Sequence, residues 1–242
     1  MKHDRYGKFT VLLIVLFFAV AGFSAADSSL QEVQHKINDK TKIEQLQVRQ
    51  DQGKVVLEGL ANTLSDKQKA EDIAKKEMKN SAVENQIALR SSEKSDSEIT
   101  LDVLARIKAK SSHSYLFNTL GVKTEGGNVI LQGKLRDAYL KDVAEKAAKE
   151  VPGVRSVRNL IEILPVSSGD DRLRAAIYQS FRRDDHLSSY FLSPDPSINI
   201  IVENARVTLI GYVNTQGDKQ RAGTMARGIN GVLSVENELQ VQ

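Results

Sequence analysis

The sequence predicts an α+β protein built from three small α-β-β-α-β domains in tandem, joined by short polar linkers. Three observations predict this: a threefold internal repeat, two hydrophobic periodicities within each copy, and polar spacers between copies. Val55-x-Leu57-x-Gly59 recurs as Val129-x-Leu131-x-Gly133 and Val207-x-Leu209-x-Gly211. Eight residues after each Gly comes a Lys (Lys67, Lys141, Lys219), then an Ala pair (Ala70 and Ala74, Ala144 and Ala148, Ala222 and Ala226), then Val-x-Asn ending at Asn85, Asn159 and Asn237. Eight identities in one ungapped register, three times over, mark internal duplication.

The elements follow in chain order. Residues 1–26 read as an export signal: Lys2, Arg5 and Lys8 precede an apolar run from Val11 to Ala21, and small residues Ser24 and Ala26 suit cleavage before Asp27. The run is shorter than the roughly 18 apolar residues that span a bilayer. An uncleaved anchor is the alternative; a lipid anchor is excluded because the chain has no Cys.

Three domains then follow, over 29–90, 97–165 and 170–242. Each opens on a helical pattern: Leu30, Val33 and Ile37; Ile99, Val103 and Ile107; Leu173, Ala176 and Ile177. Alternating apolar residues on either side of Gln52-Gly53 and Gly126-Gly127 predict hairpins whose turns need positive φ; the third copy departs, with Asn204-Ala205. Each Ala pair lies at i and i+4 on one helix face, where small side chains let the helix approach a sheet. A last alternating strand closes each unit, as in Val83, Ile87 and Leu89. Residues 91–96 and 165–170 lack periodicity and read as flexible linkers.

Charge and chemistry exclude several functions. The 34 Lys and Arg against 31 Asp and Glu give +3, but removing residues 1–26 takes three basic residues and one acidic, leaving +1. That is no footprint for nucleic acid. The basic excess sits in the middle copy, with 11 basic against 8 acidic residues over 98–165 and 8 against 9 over 166–242. His35, His113 and His186 have no metal-ligand spacing, and Ser111-Ser112-His113-Ser114 makes no nucleophile triad by adjacency alone. Asp170-Asp171 and Asp184-Asp185 fall in predicted linkers or loops. No enzyme, cofactor or metal is expected.

The repeat resembles the BON domain, named for bacterial osmotically inducible periplasmic and nodulation proteins. The Val-x-Leu-x-Gly strand, the Ala-rich helix and the Gly-Val turn before Val-x-Asn carry the resemblance. Domains 2 and 3 have that turn, with Gly153-Val154 and Gly231-Val232; domain 1 has Lys79-Asn80 instead. The resemblance implies a periplasmic cell-envelope module proposed to bind phospholipid surfaces, with a chaperone-like role in osmotically inducible members and potassium binding in others.

Candidate lipid contacts follow from residue type. Arg174, Tyr178, Phe181 and Arg182 stand at i, i+4, i+7 and i+8, a basic-aromatic stripe suited to an anionic interface. Ordinary core packing of those rings is the alternative. Tyr115 and Phe117 are the corresponding aromatics of domain 2. Lys141 and Lys219, like Lys67, point from helix starts, as headgroup contacts or as stems covering the sheet edge. Gly59, Gly133, Gly211, Gly153 and Gly231 are read as structural, and the three Asn as amides satisfying nearby backbone. The expectation is a non-enzymatic periplasmic stress protein that binds anionic phospholipid membrane surfaces peripherally through domains 2 and 3, with domain 1 as spacer or docking domain. The alternative is a holdase or protein-interaction module that shelters unfolded clients or engages envelope proteins under osmotic stress.

Overall fold

The computed structural model describes residues 25–111, 118–193 and 196–242. Residues 1–24 of the predicted export signal, and Tyr115 and Phe117, lie outside the described residues. Domain 1 runs α1 (Ala25–Lys40), β1 (Ile43–Asp51), β2 (Lys54–Ala61), α2 (Leu64–Glu77), β3 (Ala82–Asn85) and β4 (Ala88–Leu89). Domain 2 runs α3 (Asp96–Lys110), β5 (Asn118–Glu125), β6 (Asn128–Leu135), α4 (Tyr139–Lys149) and β7 (Ser156–Ile163). Domain 3 runs α5 (Ser168–Arg183), a 3-10 turn (Ser188–Phe191), β8 (Ile198–Glu203), β9 (Arg206–Val213), α6 (Gln216–Arg227), β10 (Ser234–Asn237) and β11 (Gln240–Val241). The α-β-β-α-β order holds in all three, with the closing strand divided in domains 1 and 3.

In each sheet the middle strand pairs antiparallel with its hairpin partner and parallel with the closing strand. The parallel register aligns the two halves of the repeat: Val55 faces Val83, Val129 faces Val157 and Val207 faces Val235. Two residues on, Leu57, Leu131 and Leu209 face Asn85, Asn159 and Asn237. The repeated Val, Leu and Ala share one sheet-helix interface, and the Ala pairs are fully buried there. A methyl group at those positions brings the helix close to the strands, and burial of apolar area supplies the stabilisation.

All three hairpins turn through two residues of positive φ, including the copy without Gly. The φ values are 46° and 80° at Gln52-Gly53, 57° and 79° at Gly126-Gly127, and 52° and 61° at Asn204-Ala205. A left-handed conformation costs a residue with a Cβ roughly 1–2 kcal/mol. Ala205→Gly is therefore expected to stabilise domain 3 by about 1 kcal/mol, read from urea denaturation; an unchanged midpoint would show that the turn carries no strain.

Both predicted linkers run into helix starts, α3 beginning at Asp96 and α5 at Ser168. Ser95 caps α3, accepting from the Glu98 N–H (3.3 Å) while Glu98 accepts from the Ser95 N–H (2.8 Å), a reciprocal capping box. Ser167 caps α5 by accepting from the Asp170 N–H at 3.2 Å. The next acidic residue then reaches the hairpin turn. Asp96 accepts from the N–H groups of Gly126 (2.7 Å) and Gly127 (2.9 Å), and Asp170 from those of Asn204 (3.0 Å) and Ala205 (2.8 Å). A turn with two positive φ values points its amides outward together, and a carboxylate satisfies both.

Candidate functional site

The sequence-predicted stripe on α5 divides when the helix meets its sheet. Arg174 is 2 % exposed and Phe181 fully buried, whereas Ala176 is exposed. The helix is thus rotated so that Arg174, Ile177 and Phe181 face the core, which corrects the reading of Arg174 and Phe181 as lipid contacts. Arg174 Nη2 donates to the Val202 carbonyl (2.9 Å) and Nη1 to Asp171 Oδ1 (2.8 Å). At the matching place in domain 2, Thr100 donates to Thr124 at 2.7 Å. Arg174 is a longer version of the same strand-to-helix tie.

What stays at the surface is the C-terminal end of α5. Arg182 lies over the Tyr178 ring, 5.7 Å from its centroid, a cation-π distance. Tyr178 and Phe191 pack edge to face, with centroids 5.3 Å apart and rings at 89°. This contact holds the 3-10 turn Ser188–Phe191, which lies between α5 and β8 where domain 1 has only the two-residue Thr41-Lys42 connection. Phe191 is buried, while its neighbour Leu192 is 81 % exposed. Arg183 is exposed beside Arg182. The end of α5 thus carries two exposed guanidinium groups and a half-buried phenol, with the exposed Leu192 next in the chain to the Phe191 that packs on that phenol. Arg183 and Leu192 were not predicted from sequence; the only signal was the length of the segment between α5 and β8.

The same loop is locked from below by polar groups. Asp184 accepts from the Arg221 guanidinium (Nε at 2.8 Å, Nη2 at 2.6 Å) and from the N–H groups of His186 and Leu187 (both 3.1 Å). These bonds, Arg221 first, hold its carboxyl below the usual aspartate range. Because the folded-state value is depressed, this stabilisation is present above the ordinary aspartate pKa of about 3.9 and is lost as pH falls through the lower folded value. We expect domain 3 to lose stability on acidification through that window and Arg221→Gln to remove part of the dependence; parallel pH profiles would refute the assignment. Tyr190 closes the other side, donating to Asp218 Oδ2 (2.9 Å) and accepting from the Asn214 N–H (2.8 Å). Asp170-Asp171 and Asp184-Asp185, read as linker or loop carboxylates, thus place three of their members in structural bonds.

The repeated lysines and asparagines have different fates. Asn85, Asn159 and Asn237 each donate through Nδ2 to the carbonyl of the repeated lysine, at 2.9, 3.1 and 2.7 Å. Each accepts through Oδ1 from the N–H two residues on, at 3.2, 3.2 and 3.3 Å. The amide staples the closing strand to the first turns of the helix. In domain 3 the helix residue opposite it is Gly223, where a Cβ would come within 2.8 Å of Asn237 Nδ2. Lys141 Nζ donates to the Ile161 carbonyl at 2.7 Å, so in domain 2 the lysine closes a sheet edge. Lys219 is half-buried, and Lys67 lines a cleft of about 430 Å³ between domains 1 and 2 with Arg90, Lys94 and Arg155. Gly153 lies under the Ser92 side chain, and Gly231 borders an open groove of about 420 Å³ with Leu173, Ala176 and Ile229.

Among the described residues no group of three or more His, Asp or Glu side chains is arranged to hold a metal ion, and no helix is long and apolar enough to cross a membrane.

Comparison with known proteins agrees with the threefold organisation. The BON domain model matches residues 30–91, 95–165 and 169–242. The chain is 28 % identical over 155 residues to the osmotically-inducible protein Y of Escherichia coli (strain K12), covering 61 % of this chain and 73 % of that protein. Among solved structures, the C-terminal domain of CdsD, a structural protein of the type III secretion system of Chlamydia trachomatis, is 13 % identical. It covers 88 % of this chain and 96 % of its own, with a TM-score of 0.25.

Proposed function

Because the chain belongs to the BON domain family, we propose that it is a non-enzymatic, periplasmic envelope protein of osmotic stress, exported by a cleaved signal. Its third domain binds anionic phospholipid surfaces peripherally through the end of α5. The supporting observation is the grouping of Arg182, Arg183, Tyr178 and Leu192. Guanidinium groups meet lipid phosphate in forked hydrogen bonds, the phenol suits headgroup depth, and one leucine reaches the acyl boundary. Domain 1, whose Leu64 packs into the core of domain 2, serves as a docking domain. Co-sedimentation with vesicles containing phosphatidylglycerol tests the reading. Binding is expected at low salt and not to phosphatidylcholine alone, and Arg182→Ala with Arg183→Ala should weaken it several-fold. Absence of binding at low salt overturns it.

A second reading, a holdase for unfolded clients, is favoured by the groove of domain 3. Leu173, Ala176, Ala205 and Ile229 line it, and the Ala205 carbonyl accepts from the N–H of Leu233 (2.9 Å), whose side chain is 75 % exposed. Suppression of aggregation of a denatured test protein, diminished by Leu233→Glu, would support it, and no suppression would exclude it.

A further inference from the structure

The two joints of the chain are built from different forces. Between domains 1 and 2 the joint rests on an apolar contact, beside the cleft lined by Lys67, Arg90, Lys94 and Arg155. Leu64 of α2 is 8 % exposed and belongs to the core cluster of domain 2, and Leu89 packs against both cores. The connecting segment is also seated, with Ser92 Cβ 3.0 Å from where a Cβ on Gly153 would stand. Between domains 2 and 3 no core cluster of the described residues draws on both domains. Ion pairs cross instead. Lys134 Nζ lies 2.8 Å from Glu203 Oε2, and 3.5 Å from Glu162 of its own domain. Arg136 Nε lies 2.8 Å from Asp171 Oδ2, whose other oxygen is held by the buried Arg174. These four partners across the joint keep 21 to 39 % of their side-chain surface in solvent. Val166, which by register corresponds to Ser92, is 81 % exposed, so the connecting segment adds no comparable seat.

We propose that the joint between domains 2 and 3 is an ionic-strength-sensitive latch, and that the joint between domains 1 and 2 is not. Ion pairs that keep a fifth to two fifths of their side-chain surface in solvent weaken as salt screens them, though less than fully exposed pairs, the screening length falling from about 10 Å at 0.1 M to about 3 Å at 1 M. Apolar contact is not weakened in this way. Rising salt therefore releases domain 3 from domain 2 while domains 1 and 2 stay docked. The grouping at the end of α5 then becomes free to orient independently of the rest of the chain. Each residue of the latch lies on a folded element: Lys134 on β6, Glu203 on β8, Asp171 on α5, with Arg136 directly after β6. The latch thus opens without unfolding any domain.

The absence of Cys from the sequence lets engineered pairs report without interference. Spin labels at Lys146→Cys and Thr224→Cys span the second joint; labels at Lys79→Cys and Lys146→Cys span the first. Between about 0.1 M and about 1 M NaCl the distance distribution across the second joint is expected to broaden and lengthen. The first should keep its distribution, and sucrose of equal osmolality should change neither. Lys134→Glu should open the second joint at low salt, and adding Glu203→Lys should close it again, with the circular dichroism melting curves of all variants superimposed. A second-joint distribution that ignores NaCl, responds equally to sucrose, or is unmoved by Lys134→Glu overturns the proposal, as does a first joint that opens in parallel.

Discussion

Gly211→Ala is expected to abolish the cooperative unfolding transition of domain 3, and Gly133→Ala that of domain 2. The backbone there has φ of 120° and 128°, and a Cβ would stand 2.0 Å from the Ser197 carbonyl oxygen and 2.2 Å from that of Thr119. The obstacle in both cases is the backbone of the hairpin partner, which cannot rotate away like a side chain. Moving it at Ser197 would break the bond that this carbonyl accepts from the Tyr212 N–H at 3.0 Å. Strain plus lost pairing is expected to cost more than about 4 kcal/mol, close to the whole stability of a domain of this size. The same change at Gly59 meets the Ile43 Cγ2 at 2.8 Å and backbone no nearer than 3.1 Å, at the Glu44 carbonyl oxygen, so a smaller loss is expected than where backbone stands at 2.0–2.2 Å. Gly53→Ala meets nothing within 4 Å and should cost only about 1–2 kcal/mol of conformational strain. Urea denaturation of the four variants gives the ranking. Equal losses at Gly53 and Gly211 would show that backbone angle, not the close approach, is what the repeated glycine serves.

Arg174→Ala is expected to lower the stability of domain 3 by about 3 kcal/mol, the range for breaking a buried charged pair and a charge-assisted hydrogen bond together. The truncation leaves the Val202 carbonyl without its donor and opens space beside Ile177 and Phe181. The same variant should leave the salt dependence of vesicle binding unchanged once differences in folded fraction are allowed for. Arg182→Ala should do the reverse, weakening vesicle binding with no shift in the melting curve. The pair therefore separates structural from surface arginines on one helix. A stable Arg174→Ala protein that has lost vesicle binding would return Arg174 to the surface role that its sequence position suggested.

The difference between these two arginines shows where sequence reading stops. Arg174 and Arg182 are eight residues apart, about 2.2 helical turns, so Arg182 stands about 80° around the helix from Arg174, whereas the buried Phe181 lies within about 20° of it. Arg174 lies alongside β8 and tips into the core, whereas Arg182 has reached the end of the domain, where the Tyr178 ring and water surround it. Spacing places Arg174 with Ile177 and Phe181 and sets Arg182 apart, but which of those sectors faces the sheet is decided only by the tertiary packing. Arg183 and Leu192 were invisible for a related reason: what exposes Leu192 is the packing of its neighbour Phe191 on Tyr178 and Phe181. Asp96 and Asp170 looked like spacer residues since their partners lie 30 and more residues away, in the hairpin turns.

Sequence alone determined the threefold repeat and the order of elements in each copy, while the parallel register that sets Val against Val and Leu against Asn came from the tertiary structure. Sequence could do so because strand and helix periodicities are local, and a triplicated motif reveals which local features a domain needs. The tertiary structure decided which charges are spent inside a domain and which remain at its surface. It also decided that one joint rests on an apolar contact and the other on ion pairs. Those outcomes depend on desolvation and on distances between residues remote in the chain, where the cost of burying a charge is offset only by a partner that folding brings to it.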